Sequence, residues 1–191
     1  SKQLRYQVGL QREMRWGSFV EAMYVGNYGY DIERGININA LPNQYLSRDT
    51  TRTTAMVNNN TLLGQAVANP FATLTQFTGT GFINSTIARS QLLRPFPSFG
   101  DINTTVNDGK SWYNSAQFTV NKRLARGFTA GASYTFSKWI QQTEVLNAGD
   151  EAPTKMIGDQ DVPHRFSLNY IYTLPFGKGQ MFGSGVGRGV D

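Results

Sequence analysis

Cysteine is absent from the 191 residues, which excludes disulfides, thiolate zinc sites and cysteine nucleophiles. The chain also lacks any run of about 18 apolar residues, so no segment predicts a membrane-spanning helix. Only 16% of the residues are charged, and the basic residues behind the net charge of +5 are scattered. Because they form no basic stripe, we expect no nucleic-acid partner. No signal peptide opens the sequence, which predicts a processed or partial chain if the protein is exported.

Aromatic residues are abundant, at 13%, although the mean hydropathy is only −0.39. This combination is typical of a chain that alternates apolar and polar residues. Period-two alternation indicates a β-strand with two different faces. It occurs in five segments: residues 4–15, 18–27, 112–124, 128–139 and 165–176.

The predicted apolar face has the same composition in all five segments, a mixture of aromatic residues, aliphatic residues and alanine. It comprises Leu4, Tyr6, Val8, Leu10, Val20, Ala22, Tyr24, Ala116, Phe118, Val120, Leu124, Phe128, Ala130, Ala132, Tyr134, Phe136, Phe166, Leu168, Tyr170, Tyr172, Leu174 and Phe176. Serine, threonine, asparagine, glutamine and glycine dominate the opposite face. Four apolar residues break the pattern and fall on that polar side: Phe19, Met23, Val25 and Ile171.

The connections between these segments are of two kinds. Residues 14–17 and 124–127 are tight, glycine-containing hairpin turns. The connections 28–111 and 140–163 are long and rich in Asn, Thr, Gly and Pro. Loops of more than about 15 residues are uncommon in compact soluble domains. We expect short helical turns at 41–46 and 61–68 within the first long loop.

Three features favour a membrane-embedded sheet over a soluble β-sandwich, which would show the same alternation. The length of these segments is close to the roughly 9–11 residues that a tilted β-strand needs to cross a bilayer. Short turns alternate with long loops, as in outer-membrane barrels. The three tryptophans, Trp16, Trp112 and Trp139, lie at strand ends, where interfacial aromatic girdles occur. We therefore predict an all-β fold, an antiparallel transmembrane β-barrel segment of about five strands, with the soluble sandwich as the alternative.

Several stretches, taken in order along the chain, resemble the barrel region of the large TonB-dependent transporters with Oar-like barrels. They cover most of the sequence, and each is weak alone. The stretches are 7–13 through 24–26, Asn37-Ile38-Asn39-Ala40-Leu41-Pro42 with Tyr45-Leu46, Asn69-Pro70-Phe71, Ser90-Gln91-Leu92-Leu93-Arg94-Pro95-Phe96-Pro97, 112–117 leading to 122–124, 132–138, 161–166, and 174–179.

This resemblance implies a bacterial outer-membrane barrel of about 22 strands with a plug in its lumen. It implies outer-membrane lipid, the TonB complex and an unidentified nutrient as partners, and no cofactor. The plug domain and the TonB-contacting segment are absent from residues 1–191. Five strands cannot close a barrel with an even strand count, so we predict an incomplete barrel. The alternative function is that of a soluble or surface-attached β-rich adhesin.

No residue carries a pattern that predicts catalysis or metal binding, and no enzymatic activity is expected. His164, the only histidine, lacks an accompanying nucleophile motif and is predicted to be a strand-entry residue. The acidic residues Asp150, Glu151, Asp159 and Asp161 lack calcium-loop spacing and predict a solvated loop. The glycine-rich run 183–189 fits no phosphate-loop motif.

Two groups of residues leave alternatives open. The basic residues near the short turns either meet anionic headgroups or are ordinary solvated turn residues; they are Arg12, Arg15, Lys122, Arg123, Arg126 and Lys178. Arg94-Pro95-Phe96-Pro97 with Phe99 either lines a substrate vestibule or pins the long loop against the barrel wall. Substrate-binding residues therefore stay unassigned.

Overall fold

The computed structural model describes residues 1–124 and 128–174. Their strands and helices are, in chain order, β1 (Lys2–Met14), β2 (Ser18–Asn37), α1 (Thr54–Gly64), β3 (Ala66–Ala68), β4 (Thr86–Ala88), α2 (Arg89–Leu92), β5 (Asn103–Leu124), β6 (Phe128–Glu144), β7 (Thr154–Ile157) and β8 (His164–Tyr172). Within these residues, neither helix has the length and apolar character that a membrane crossing requires.

The main sheet has the strand order β1-β2-β5-β6-β7, with β8 also paired to β6. The short strands β3 and β4 form a separate two-stranded sheet. The main sheet is antiparallel and is not closed. The predicted all-β fold class is therefore confirmed. The five predicted strands correspond to β1, β2, β5, β6 and β8. The second, third and fourth are longer than predicted, and β8 ends at Tyr172, so residues 173 and 174 were wrongly assigned to a strand.

The turn between β1 and β2 has the predicted hairpin chemistry. Residues Arg15–Gly17 form a single 3₁₀ turn, and Gly17 has a φ of 67°. Only glycine adopts this left-handed conformation without a steric cost from a Cβ atom. Residues 125–127 of the second predicted turn, the strand end at 175–176 and the run 183–189 lie outside the described residues.

The boundaries of the first long loop were predicted wrongly. Strand β2 continues to Asn37 and β5 begins at Asn103, so the loop covers 38–102 rather than 28–111. The predicted turn at 41–46 is present as a 3₁₀ turn over Asn43–Tyr45. The helical turn predicted at 61–68 was placed too late, since the helix found there, α1, begins at Thr54 and ends at Gly64. Thr53 caps α1 by accepting a hydrogen bond from the Met56 amide at 3.1 Å.

The second long loop also contains more regular structure than predicted. Strand β6 continues to Glu144, and the four residues of β7 pair with it. The loop predicted at 140–163 is therefore interrupted by strand at both its beginning and its middle. Alternation of apolar and polar residues fades beyond residue 139, so the sequence offered no signal for this extension.

The chain divides into two compact units. The loop unit comprises Ser1–Lys2, Tyr30–Lys110 and Gln142–Lys155. The strand unit comprises Gln3–Gly29, Ser111–Gln141 and Met156–Asp191. Apart from glycines, Val25, Ala40 and Pro153 are the only buried apolar residues in the described part of the chain. A soluble domain of this length buries a sizeable core, so the apolar side chains are distributed differently here.

Candidate functional site

An apolar face runs across β6 and β8 of the strand unit. The antiparallel register sets Phe128 opposite Tyr172, Ala130 opposite Tyr170, Ala132 opposite Leu168 and Tyr134 opposite Phe166. Residues directly opposite in a sheet point to the same side. The prediction that these residues share one continuous face is therefore confirmed. The β8 side chains of this face are exposed, with Phe166 at 67% and Tyr170 at 69%, whereas Phe128, Ala130 and Ala132 on β6 are half-buried.

The same kind of surface is present on the first strand pair. Every residue of β1 is exposed, including Leu4, Val8 and Leu10. Tyr6 lies 6.2 Å from Tyr24 on β2, measured between ring centroids. The Tyr6 ring occupies the position that a Cβ atom on Gly26 would take. A glycine here allows the aromatic ring to approach the neighbouring strand closely.

Aromatic and polar contacts gather at one end of the apolar face. Tyr28 and Trp112, on the neighbouring strands β2 and β5, have ring centroids 5.6 Å apart. His164 opens β8, as predicted, and its Nδ1 lies 2.7 Å from the Tyr134 hydroxyl. Its ring also lies 5.2 Å from that of Phe136. The rings of Tyr28, Trp112 and His164 combine an apolar body with a polar edge, as is typical of membrane interfaces. Tyr134 lies further along the face, opposite Phe166, and its hydroxyl extends towards His164.

The opposite, polar face contains serine, asparagine and glutamine side chains. Ser115, Ser137 and Gln141 are buried, and Ser137 Oγ donates to the Val162 carbonyl at 2.9 Å. Near the short turns, Asn121 and Asn169 of the neighbouring strands lie on either side of Gly131, where a side chain would have no room. Phe19 and Ile171, two of the apolar residues that break the alternation, line one depression with these asparagines.

Trp139 departs from its predicted place in an aromatic girdle. It follows Thr135 and Ser137 along β6 and lines a depression on the polar face with them. The Trp139 amide donates to Asp161 Oδ1 at 2.7 Å, and the Trp139 carbonyl accepts from the Gly158 amide at 3.0 Å. Residues 158–161, the returning segment, hold the backbone of Trp139, and the side of its ring follows from the alternation along β6. The prediction that Trp139 and Trp112 lie at strand ends is therefore wrong, because β6 continues to Glu144 and β5 begins at Asn103.

Asparagine side chains hold the loop unit together. Asn39 is fully buried. Its Nδ2 donates to the carbonyls of Phe96, Phe99 and Gly100 at 3.0, 3.1 and 2.7 Å, and its Oδ1 accepts from the Phe96 amide at 2.8 Å. Both polar atoms of the Asn39 side chain therefore have partners, as their burial requires. Asn69 has a similar role, since its Nδ2 donates to two backbone carbonyls at 2.6 and 2.7 Å.

These contacts address the open question about Arg94-Pro95-Phe96-Pro97. The backbone of this segment is pinned by Asn39, and Arg94 Nη1 lies 2.6 Å from Asp101 Oδ1. This hydrogen bond, with a second one from Asn37, lowers the pKa of Asp101. These contacts hold the segment within the loop unit itself, and its attachment to the barrel wall stays a prediction. The side chains of Phe96 and Phe99 remain exposed, at 48% and 58%.

An ion pair that sequence reasoning missed lies between β2 and β5 in the loop unit. Arg34 donates to both carboxylate oxygens of Asp108, at 2.6 and 2.8 Å. The Arg34 side chain is 6% exposed and that of Asp108 is 46% exposed. The bidentate hydrogen bond lowers the pKa of Asp108 and raises that of Arg34. Only the fold brings the two residues together, since 74 positions separate them.

The acidic residues considered for calcium are not assembled into one site. Asp150 accepts from Asn43 Nδ2 at 2.5 Å and from the Asn147 amide at 2.8 Å, and these bonds lower the pKa of Asp150. Asp161 accepts from the Trp139 amide. No group of three or more His, Asp or Glu side chains with metal-binding geometry occurs in residues 1–124 and 128–174.

Comparison with known proteins gives one match. The sequence model of a family described as "Outer membrane beta barrel domain" matches residues 2–191. No curated protein and no solved structure matches the chain significantly.

Proposed function

The chain belongs to the outer membrane beta barrel domain family, and we propose that it forms part of the wall of a TonB-dependent transporter that takes up a nutrient. Its location is the bacterial outer membrane. One observation carries the proposal. Two-faced strands leave Phe166, Leu168 and Tyr170 exposed on one side and present polar side chains on the other.

The energetics favour lipid on the apolar side. Burying an apolar side chain of this size is worth about 1.5–3 kcal/mol, and contiguous exposed apolar patches are uncommon on soluble monomers. A bilayer covers such a face without requiring a packed core. The polar face then lines a wet lumen, as in outer-membrane barrels.

The strand pairing supports a larger barrel wall. Among the described residues, β1 pairs only with β2, and β8 pairs only with β6. Unpaired strand edges cannot lie in a bilayer, because their backbone groups would have no hydrogen-bond partners there. In this proposal, further strands complete the barrel, the short turns are periplasmic and the long loops are external.

The TonB complex and a nutrient ligand are the partners that the family resemblance implies. External loops would capture the nutrient, and energised movement of a plug would admit it. We infer no enzymatic activity. Within the described residues, His164 hydrogen-bonds to Tyr134 and has no serine or threonine hydroxyl as a nucleophile partner.

Uptake in living cells tests the transport proposal. A strain lacking the gene, a strain lacking TonB and a complemented strain would be supplied with labelled oligosaccharides, peptides and ferric chelates. We expect uptake of at least one class to require both the full-length protein and TonB. Normal uptake of every class in the gene-deletion strain would contradict transport. Loss of surface attachment in that strain would instead favour the adhesin.

A further inference from the structure

The depression that contains Trp139 has the size of a small-molecule site. Its volume is about 370 Å³, within the range of roughly 300–1,000 Å³ that is usual for ligand pockets. It lies entirely within the strand unit, on the polar face. The side chains that give it chemical character are Tyr113, Gln117, Trp139, Gln160, Asp161 and Arg165.

The Trp139 indole is held as a fixed platform. Gly158 lies against the ring, so that a Cβ atom placed there would be 2.6 Å from Cδ2 and 2.7 Å from Cε3. Both backbone groups of Trp139 are hydrogen-bonded to the returning segment, one to Asp161 and one to Gly158. The indole therefore needs little further ordering when a flat apolar surface stacks on it.

The polar groups around this platform have hydrogen-bonding capacity to spare. Asp161 Oδ1 accepts from the Trp139 amide, and its Oδ2 has no hydrogen-bond partner in residues 1–124 and 128–174. Neither the Gln160 amide nor the Arg165 guanidinium has a hydrogen-bond partner among the described residues. Planar amide, carboxylate and guanidinium groups bind neighbouring hydroxyls through paired hydrogen bonds.

Charge and strand pairing narrow the ligand class. The depression contains one carboxylate, Asp161, and one guanidinium, Arg165, so its formal charge is zero. An anionic metal chelate would therefore gain little electrostatic stabilisation there. A peptide that binds by strand addition needs a free strand edge. Strand β6 is already paired with β5 on one side and with β7 and β8 on the other, so it offers no edge.

We propose that this depression is a subsite for a neutral oligosaccharide, with a sugar ring stacked on Trp139 and its hydroxyls bonded to Gln160, Asp161 and Arg165. Sugar rings combine an apolar face of C–H groups with a rim of hydroxyls, and this matches a rigid indole surrounded by planar polar groups. The place of this subsite in an uptake route rests on the proposed transport function. The binding itself does not.

Binding to the full-length protein in detergent tests the proposal. Isothermal titration would use maltotetraose, cellotetraose and tetra-N-acetylchitotetraose, with tetra-alanine and ferric citrate as competing classes. The variants are Trp139→Phe, Trp139→Ala and Gln160→Ala. The matched controls are Trp112→Phe on the apolar side and Asn58→Ala at an exposed amide in α1. Heat-dependent electrophoretic mobility verifies that each variant is folded.

We expect at least one tetrasaccharide to bind. Trp139→Ala and Gln160→Ala should each weaken binding about tenfold, Trp139→Phe should weaken it less, and the controls should not change it. If Trp139→Ala does not fold, the affinities of Trp139→Phe and Gln160→Ala test the proposal instead. No binding by any tetrasaccharide, unchanged affinity in the folded variants, or Trp139-dependent binding of tetra-alanine or ferric citrate would overturn the proposal. TonB-dependent uptake without saccharide binding would overturn this inference alone, whereas saccharide binding without uptake would overturn only transport.

Discussion

The strand unit and the loop unit use their side chains in opposite ways. The strand unit exposes large apolar residues such as Leu10 and Phe166 and buries polar ones such as Ser115. The loop unit is organised by polar side chains bonded to its own backbone, most clearly at Asn39 and Asn69. The first arrangement gains its stability from the bilayer, and the second arrangement contains its own hydrogen-bond partners.

Because the two units are stabilised by different interactions, a single stability measurement will not describe both. A substitution on the apolar face changes how the chain interacts with lipid, where a charge is costly and packing is permissive. A substitution among the loop asparagines leaves buried backbone groups without partners. Four predictions distinguish the two cases, from the largest expected effect to the smallest.

The largest effect is expected from a cation on the apolar face. Tyr134→Arg places a charge near the centre of β6, where it should cost about 2–4 kcal/mol if this position lies at the bilayer midplane. The neighbouring change Ser133→Arg faces the polar side and should cost much less. Folding titrations of the full-length protein in lipid vesicles measure both. Equal losses would mean that the two faces do not meet different solvents.

The second prediction concerns Asn39 in the loop unit. Asn39→Ala removes four hydrogen bonds and leaves the Phe96 amide and three carbonyls without this partner. We expect a local loss of about 2–3 kcal/mol, since each unsatisfied buried group costs roughly 1–3 kcal/mol and water can reach some of them. Hydrogen exchange should increase at residues 96–102 and stay unchanged in β6 and β8. The exposed change Asn58→Ala serves as control, and a general increase would contradict local organisation.

The strands and their faces were predictable because alternation is a direct consequence of backbone geometry. Side chains point to opposite sides every second residue, so Phe128 to Phe136 define a face without knowledge of their neighbours. Alternation also excludes a slip of one residue against 164–172, which would set Tyr170 among the polar residues, but a slip of two would keep the faces, so the structure supplies the register. The exceptions also proved informative, since Phe19 and Ile171 share one depression on the polar face.

The loop unit was not predictable, because its determinants are distant in sequence. Asn39 bonds to carbonyls that lie 57 to 61 positions away, and Arg34 meets Asp108 across 74 positions. No local pattern signals such pairs. Helix α1 was placed too late along the chain because its residues form no apolar stripe of helical period, so only the cap at Thr53 marks its start.

The third prediction uses the pH dependence of the Arg34–Asp108 pair. The pKa of Asp108 is lowered in the folded protein, so its contribution is present above the ordinary carboxyl pKa of 3.8 and is lost as the pH falls through the lower folded value. Asp108→Asn should therefore destabilise the loop unit near neutral pH and less at strongly acidic pH. Because Asp108 is half-exposed, we expect only about 1–2 kcal/mol.

Hydrogen exchange or proteolysis of the loop unit between pH 2 and pH 7 measures this contribution. Asp159→Asn, at an exposed carboxylate without a hydrogen-bond partner among the described residues, is the matched control. If the difference in loop-unit stability between Asp108→Asn and the unmodified protein stayed constant down to the lowest pH, the charge on Asp108 would not be the source of the effect.

The smallest effect is expected from Arg94→Gln in the loop unit. Arg94 lies 2.6 Å from Asp101, whose side chain is 58% exposed, and exposed ion pairs add little to stability because water and salt screen them. Asp101 also accepts from Asn37 at 2.9 Å, so the carboxylate stays oriented after the change. The pKa of Asp101 should rise towards its ordinary value, since Arg94 is the largest cause of its lowering. Hydrogen-exchange rates at 96–102 are compared between the variant and the unmodified protein. They should differ slightly at low salt and should be equal at high salt. A loss as large as that of Asn39→Ala, and insensitive to salt, would mean that the ion pair rather than Asn39 holds this segment.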